Sequence, residues 1–163
     1  IDILVNNAGI TRDGFLKKMT PEDWYAVINT NMNSVFNVTR QVIEGMGERG
    51  WGRVINISSG GGSQPTPQAA AYCAAKAGVI VYMRSLAKEL APHGILVNGI
   101  SPGLVDTGFD PLPEEIKVLH ANSLPLKRLG QPEDMTPGYV FLASDESLFA
   151  TGNAYSIDGG MTI

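Results

Sequence analysis

A tyrosine and a lysine four residues apart, Tyr72 and Lys76, form the pair in this sequence whose types and spacing point to acid–base chemistry. Residues at this spacing lie on the same face of a helix. A phenol ordinarily ionises near pKa ~10, and a nearby ammonium favours the phenolate and so lowers that pKa. Such a pair can exchange a proton with a substrate oxygen near neutral pH. An isolated pair is, however, more often a packed tyrosine beside a surface lysine.

The residues around this pair predict the element that positions it. Residues 69–77 and 79–83 are apolar or good helix formers and contain no proline, which predicts a helix. The helix is expected to end at about residue 91, because Pro92 and Gly94 follow. Ser59 comes after an apolar run at residues 54–57 that predicts a buried strand.

The rest of the chain alternates between apolar runs and helical patterns, which predicts a parallel sheet wrapped by helices. The other strands are predicted at residues 1–5, 95–100 and 155–160. The other helices are predicted at residues 24–46, around 113–120, and from 132 to about 144, with Thr20 and Pro21 as the start signal of the first. Residues 109–124 carry prolines and are expected to form a lid over a substrate.

The motifs that accompany the pair resemble those of the classical short-chain dehydrogenase/reductase family over the whole chain. They are Asn6-Asn7-Ala8-Gly9 after the first strand, Ser59 after the second, the Tyr72–Lys76 pair, and Pro102-Gly103 after the third strand. The resemblance implies an α/β fold with a Rossmann-like doubly wound parallel sheet. The first strands of that fold and its Gly-rich cofactor turn are not in the sequence.

The resemblance also implies the site residues. It implies a catalytic set of Asn31, Ser59, Tyr72 and Lys76, in which a carbonyl of Asn31 holds a water near the lysine. It implies a nicotinamide cofactor site with no metal, in which Asn7 and Gly9 lie by the adenosine ribose and residues 102–107 lie at the nicotinamide. The cofactor-binding residues so implied are Asn7, Ala8, Gly9, Tyr72, Lys76, Pro102, Gly103, Val105 and Thr107.

The activity implied is reversible hydride transfer between a nicotinamide cofactor and a carbonyl/alcohol pair. Within the family, residues 9–13, 17–24 and 50–54 look most like 3-oxoacyl thioester reductases, namely the acyl-carrier-protein reductase of fatty-acid synthesis and acetoacetyl-CoA reductase. That likeness favours NADP(H) over NAD(H). A short-chain alcohol, sugar or steroid dehydrogenase is the alternative, because the loop at residues 60–67 and the lid are less similar.

Composition limits the partners of the chain. Its 163 residues fit one domain, its net charge is −4, and 17% of its residues are charged, so neither nucleic acid nor an anionic membrane is an expected partner. A single cysteine, Cys73, excludes an intrachain disulfide and fits a cytoplasmic protein. The family often forms homodimers or homotetramers through the last helix and strand, and the same is expected here.

Two other patterns are interpreted as non-functional. Residues 45–50 match a GxGxxG dinucleotide pattern, but a helix precedes and a strand follows, so we expect a helix end and a tight turn. A serine hydrolase is disfavoured because no GxSxG motif occurs and because His93 and His120 are predicted beside surface turns.

The chain has no initiator methionine and opens directly on a predicted strand. We therefore expect residues 1–163 to be the carboxy-terminal two thirds of a single short-chain dehydrogenase/reductase domain. The alternative is that the chain as given is a non-catalytic fragment or an oligomerisation module.

Overall fold

Four strands form one parallel sheet in a computed structural model that describes residues 1–108 and 112–163. They lie in the spatial order β1-β2-β3-β4, and each pairs in parallel with the next. The strands are β1 (Ile3–Asn6), β2 (Gly52–Ile57), β3 (Ile95–Pro102) and β4 (Ala154–Ile157). Their carboxyl ends therefore meet at one edge of the sheet, the edge at which ligands bind in open α/β folds.

Helices connect the strands. They are α1 (Pro21–Ile28), α2 (Ser34–Arg49), α3 (Ala70–Leu90), α4 (Glu114–Ser123) and α5 (Pro132–Ala143). Short helical turns lie at Leu16–Lys18, Gly60–Gly62, Ala91–His93 and Asp145–Ser147. Part of the predicted lid, residues 109–111, lies outside the described residues. None of the described helices combines the length and the apolar character needed to cross a membrane.

Apolar side chains on both faces of the sheet hold the helices, because successive strand residues point to opposite faces. On one face, Val54 and Val97 pack with Met46 of α2 and Met83 of α3. On the other face, a second cluster comprises Ile55, Ile57, Ile100 and Leu142 of α5. Helices thus cover both faces, which confirms the doubly wound parallel sheet.

The first strand is less buried than its apolar sequence predicts. Leu4 packs against the cluster formed by α2 and α3, but Ile3 and Val5 are 43% and 46% exposed. They point to the opposite face, where α5 packs against β2 and β3. The prediction of a buried strand at residues 1–5 was therefore wrong for one of its two faces.

The helix predicted to start at Thr20 and Pro21 and to run to about residue 46 extends to Arg49 and is interrupted. Thr20 caps its start, since its hydroxyl accepts a hydrogen bond from the Asp23 amide at 3.1 Å. A π-helical turn at Asn29–Asn33 separates α1 from α2, and such turns are frequent at functional sites. The helix ends at Gly50, whose φ of 67° is left-handed. This confirms that the glycines at residues 45–50 belong to a helix end.

Candidate active site

The hydroxyl groups of Ser59 and Tyr72 lie together at the carboxyl edge of the sheet. Ser59 follows β2 and starts a short helical turn, in which its Oγ accepts a hydrogen bond from the Gly61 amide at 3.1 Å. Tyr72 lies in the first turn of α3. Its side chain lies near that of Ser59, since a β-carbon placed on Gly61 would lie 3.6 Å from Ser59 Oγ and 3.7 Å from Tyr72 Cε1. The loop of residues 59–69 therefore joins two parts of one site.

Lys76 is fixed to the end of β2 at both its side chain and its backbone. Its Nζ donates a hydrogen bond to the Ile57 carbonyl at 2.6 Å, and the hydroxyl of Ser58 donates one to the Lys76 carbonyl at 2.9 Å. The ammonium lies 5.7 Å from the centroid of the Tyr72 ring. Because the side chain is buried, the pKa of Lys76 is lowered to about 8.

Burial dominates the ionisation of Tyr72 as well. It raises the pKa of the phenol; the hydrogen bond with Ser59 lowers it, and charges at Cys73 and Asp13 raise it further. The expectation that Lys76 brings the Tyr72 pKa below its ordinary value is therefore wrong. The reason is that loss of hydration disfavours the phenolate more than the local hydrogen bond favours it.

Asn31 lies in the π-helical turn, is 1% exposed, and binds the loop that follows β1. Its Oδ1 accepts from the Ile10 amide and its Nδ2 donates to the Ile10 carbonyl, both at 2.8 Å. A β-carbon placed on Gly9 would lie 3.1 Å from Asn31 Oδ1 and 3.7 Å from Lys76 Nζ. A side chain at residue 9 would therefore crowd Asn31 Oδ1, and glycine avoids this contact.

A cavity of about 720 Å³, the strand-end cavity, lies along the carboxyl ends of β1, β2 and β3. Its walls include all of the cofactor-binding residues that the sequence predicted. These are Asn7, Ala8, Gly9, Tyr72, Lys76, Pro102, Gly103, Val105 and Thr107. The volume falls within the range usual for small-molecule and cofactor sites.

A second cavity of about 500 Å³, the helix-side cavity, lies between the loop of residues 64–66 and α4. Ser59 and Tyr72 line both cavities, together with Gly103, Val105 and Thr107. The two hydroxyls therefore lie on a wall that the cavities share. A molecule in either cavity is within reach of the same two hydroxyls.

Three of the four predicted catalytic residues, Ser59, Tyr72 and Lys76, line the strand-end cavity, whereas Asn31 lines neither cavity. The side-chain carbonyl of Asn31 is engaged by Ile10. Its place in the structure is behind Gly9, where it supports the turn. The water-holding role given to Asn31 stays a prediction.

The polar residues of the helix-side cavity were not predicted as site residues. Asp13, Gln64, Lys117 and His120 line it. His120 lies in the last turn of α4, before the turn that follows this helix. The available signal was the spacing of Lys117 and His120, which places them on one face of the predicted lid helix.

The whole chain matches a known family. The family model described as "Enoyl-(Acyl carrier protein) reductase" matches residues 1–162. Among similar proteins, the acetoacetyl-CoA reductase of Cupriavidus necator is 45% identical over 162 residues. The 3-oxoacyl-acyl-carrier-protein reductase FabG of Thermotoga maritima is 46% identical over 164 residues.

These matches cover 99% and 100% of this chain but 66% and 67% of the relatives. The chain thus spans about two thirds of their length.

Solved structures show the same fold. A gluconate 5-dehydrogenase from Burkholderia cenocepacia, in complex with NADP and tartrate, superposes with a TM-score of 0.96 at 36% identity. A putative gluconate dehydrogenase from Agrobacterium tumefaciens superposes with a TM-score of 0.95 at 34% identity. In both cases the match covers 99% of this chain and 65% of the other.

Proposed function

The chain belongs to the short-chain dehydrogenase/reductase family, and on that premise we propose that it carries the catalytic part of an NADP(H)-dependent 3-oxoacyl thioester reductase. The product is the 3-hydroxyacyl thioester. One observation carries the proposal: Ser59 and Tyr72 lie on the wall shared by two cavities. This arrangement suits a reaction between two bound molecules.

The strand-end cavity fits a nicotinamide cofactor. Its volume is suitable, and the Asn7–Gly9 turn forms part of its wall. Asn7, Ala8 and Gly9 would hold the adenosine side, and Pro102, Gly103, Val105 and Thr107 would hold the nicotinamide side. When bound, the cofactor supplies the hydride.

Tyr72 gives its proton to the substrate oxygen as the carbonyl is reduced. Burial keeps this phenol protonated at neutral pH, because it raises the pKa. Ser59 donates a hydrogen bond to the same oxygen and fixes its position. Lys76 supplies a positive charge close to the Tyr72 ring and binds the nicotinamide ribose.

The thioester substrate and the choice of NADP(H) rest on similarity. Relatives named as acetoacetyl-CoA reductases and 3-oxoacyl-acyl-carrier-protein reductases are 43–48% identical to this chain. A structure that contains NADP shares the fold. By the same likeness, we propose a cytoplasmic homodimer or homotetramer that serves fatty-acid synthesis.

We also propose that residues 1–163 act as the carboxy-terminal two thirds of one dinucleotide-binding domain. The coverage of the relatives supports this. The competing proposal is a non-catalytic fragment. Titration of NADPH into this chain and into the protein extended by its upstream sequence separates the two, since only a catalytic part gains nucleotide binding on extension.

A sugar-acid dehydrogenase is the second candidate function, because both similar solved structures are of proteins named as gluconate dehydrogenases. The test is NADPH oxidation by the extended protein with acetoacetyl-CoA, with 5-ketogluconate and with a simple ketone. We expect kcat/KM for acetoacetyl-CoA to exceed the others by about 100-fold, which corresponds to about 2.7 kcal/mol. A preference for 5-ketogluconate would establish the alternative.

A further inference from the structure

Helix α4 presents two polar side chains to the helix-side cavity. Lys117 and His120 lie three residues apart on one face of the helix, and both line the cavity. The Nδ1 atom of His120 is buried, and it has no hydrogen-bond partner among residues 1–108 and 112–163. The wall formed by α4 therefore holds a polar atom that the described part of the protein does not satisfy.

The charged groups next to His120 are engaged. The ammonium of Lys117 donates to Asp106 Oδ2 at 2.8 Å, which forms an ion pair across this side of the cavity. Asp13 also lines the cavity and contributes negative charge near Tyr72. His120 is the group on α4 that keeps hydrogen-bonding capacity at a buried atom.

The described residues leave the His120 ring with unused hydrogen-bonding capacity, so a ligand group that pairs with the ring gains affinity. A neutral imidazole can donate at one nitrogen and accept at the other. His120 lines the same cavity as Ser59 and Tyr72, alongside apolar neighbours such as Leu104 and Leu129. A substrate whose carbonyl lies at the two hydroxyls therefore places a different part of itself against α4.

We propose that His120 determines specificity by hydrogen-bonding a polar group of the substrate that is remote from the reacting carbonyl. The inference rests on the proposed function and narrows its substrate class to carbonyl compounds with a second hydrogen-bonding group. That group belongs either to the arm attached through the thioester or to an oxygen on the acyl chain.

Three substrates distinguish these two sources. Ethyl acetoacetate has neither the thioester arm nor a further acyl oxygen, acetoacetyl-CoA adds the arm, and ethyl 3,5-dioxohexanoate adds an acyl oxygen without the arm. The variants are His120→Leu, which cannot form the bond, and His120→Asn, whose amide can replace Nδ1. His93→Leu is the matched control, because His93 is exposed in the turn Ala91–His93 and does not line this cavity.

In the protein extended by its upstream sequence, we expect His120→Leu to raise KM about tenfold for acetoacetyl-CoA or for the dioxo ester, equivalent to about 1.4 kcal/mol. We expect kcat to stay within about twofold, because the lost hydrogen bond stabilises the bound substrate and the transition state equally. The KM and kcat for ethyl acetoacetate should not change. His120→Asn should restore KM, and His93→Leu should match the wild type. Equal changes for all three substrates, or no change for any, would overturn the inference.

Calorimetric Kd values for the same substrates keep the test independent of turnover. A wild-type protein that binds these compounds without reducing them refutes the proposed function only. In that case a Kd that rises about tenfold in His120→Leu still supports the inference, and an unchanged Kd overturns it. A wild-type protein that binds none of the three overturns both.

Discussion

The burial of one residue, Lys76, affects both the charge of the site and the stability of the protein. The side chain is 4% exposed and donates to one carbonyl, that of Ile57. Burial disfavours its charged form and lowers its pKa to about 8. Near neutral pH, burial of this ammonium therefore lowers the free energy of unfolding.

The replacement Lys76→Met tests this directly. Between pH 8 and 10.5 the unfolded lysine binds a proton that the folded one does not, so the Lys76 contribution to the free energy of unfolding rises with pH in that window. Relative to Lys76→Met, the wild type should gain about 2 kcal/mol between pH 7 and 9.5. Urea unfolding at the two pH values measures this difference.

The control is Lys88→Met, which removes an exposed lysine from the same helix. Its difference from the wild type should be the same at both pH values. A pH-independent difference for Lys76→Met would show that burial does not depress the lysine pKa.

The helices and strands that depend on signals in their own stretch of sequence were predicted. Helix α3 spans Ala70–Leu90 where residues 69–91 were expected, because apolar helix formers run up to a proline and a glycine. The π-helical turn at Asn29–Asn33 was not predictable, since it depends on the bonds of Asn31 to Ile10 in a distant loop. Exposure of Ile3 and Val5 likewise depends on which helices reach β1.

The loop after β3 is an element whose position depends on one close contact. A β-carbon on Gly103 would lie 2.6 Å from Asp158 Cα and 2.7 Å from the Asp158 carbonyl oxygen. Both are backbone atoms, so neither can move aside as a flexible side chain would. The turn after β4 thus holds the loop that lines both cavities.

Gly103→Ala should therefore lower the free energy of unfolding by about 1–3 kcal/mol, the usual effect of forcing an extra carbon into a packed site. Activity should fall as well, because Gly103 lines both cavities. Gly14→Ala is the control, as nothing lies within 4 Å of a β-carbon at that position. Thermal unfolding measures the stability of both variants. A Gly103→Ala variant as stable as the wild type would contradict the proposed close contact with Asp158.

At the scale of the whole molecule, apolar side chains remain exposed near α5. Val140 lies on α5, and Leu148 and Phe149 follow the turn Asp145–Ser147; Phe149 is 108% exposed. Exposed apolar side chains often mark association sites, and we treat these three residues as a candidate association patch. The patch includes the last helix, through which pairing of subunits was expected.

Val140→Asp should weaken self-association, because it places a charge within this patch. Sedimentation velocity of the wild type should show a dimer or tetramer that Val140→Asp shifts towards monomer. Val118→Asp, which alters an exposed residue of α4, should leave the assembly unchanged. A monomeric wild type, or equal assembly in both variants, would exclude pairing through α5.

The site residues that belong to sequence motifs were predictable, and the others were not. Ser59, Tyr72 and Lys76 converge as expected, because strand and helix ends place them at one edge of the sheet. The ionisation of Tyr72 was not predictable, since it depends on burial. His120 was not predicted as a site residue because the helix-side cavity forms from segments far apart in the chain.

Replacing Tyr72 by Phe in the extended protein shows whether the Tyr72 hydroxyl delivers the proton during carbonyl reduction. We expect kcat for acetoacetyl-CoA reduction to fall about 10²- to 10⁴-fold, with the Kd for NADPH within roughly threefold of the wild type. Tyr82→Phe, on the same helix and outside both cavities, should retain kcat. Turnover at the wild-type rate in Tyr72→Phe would contradict the assignment.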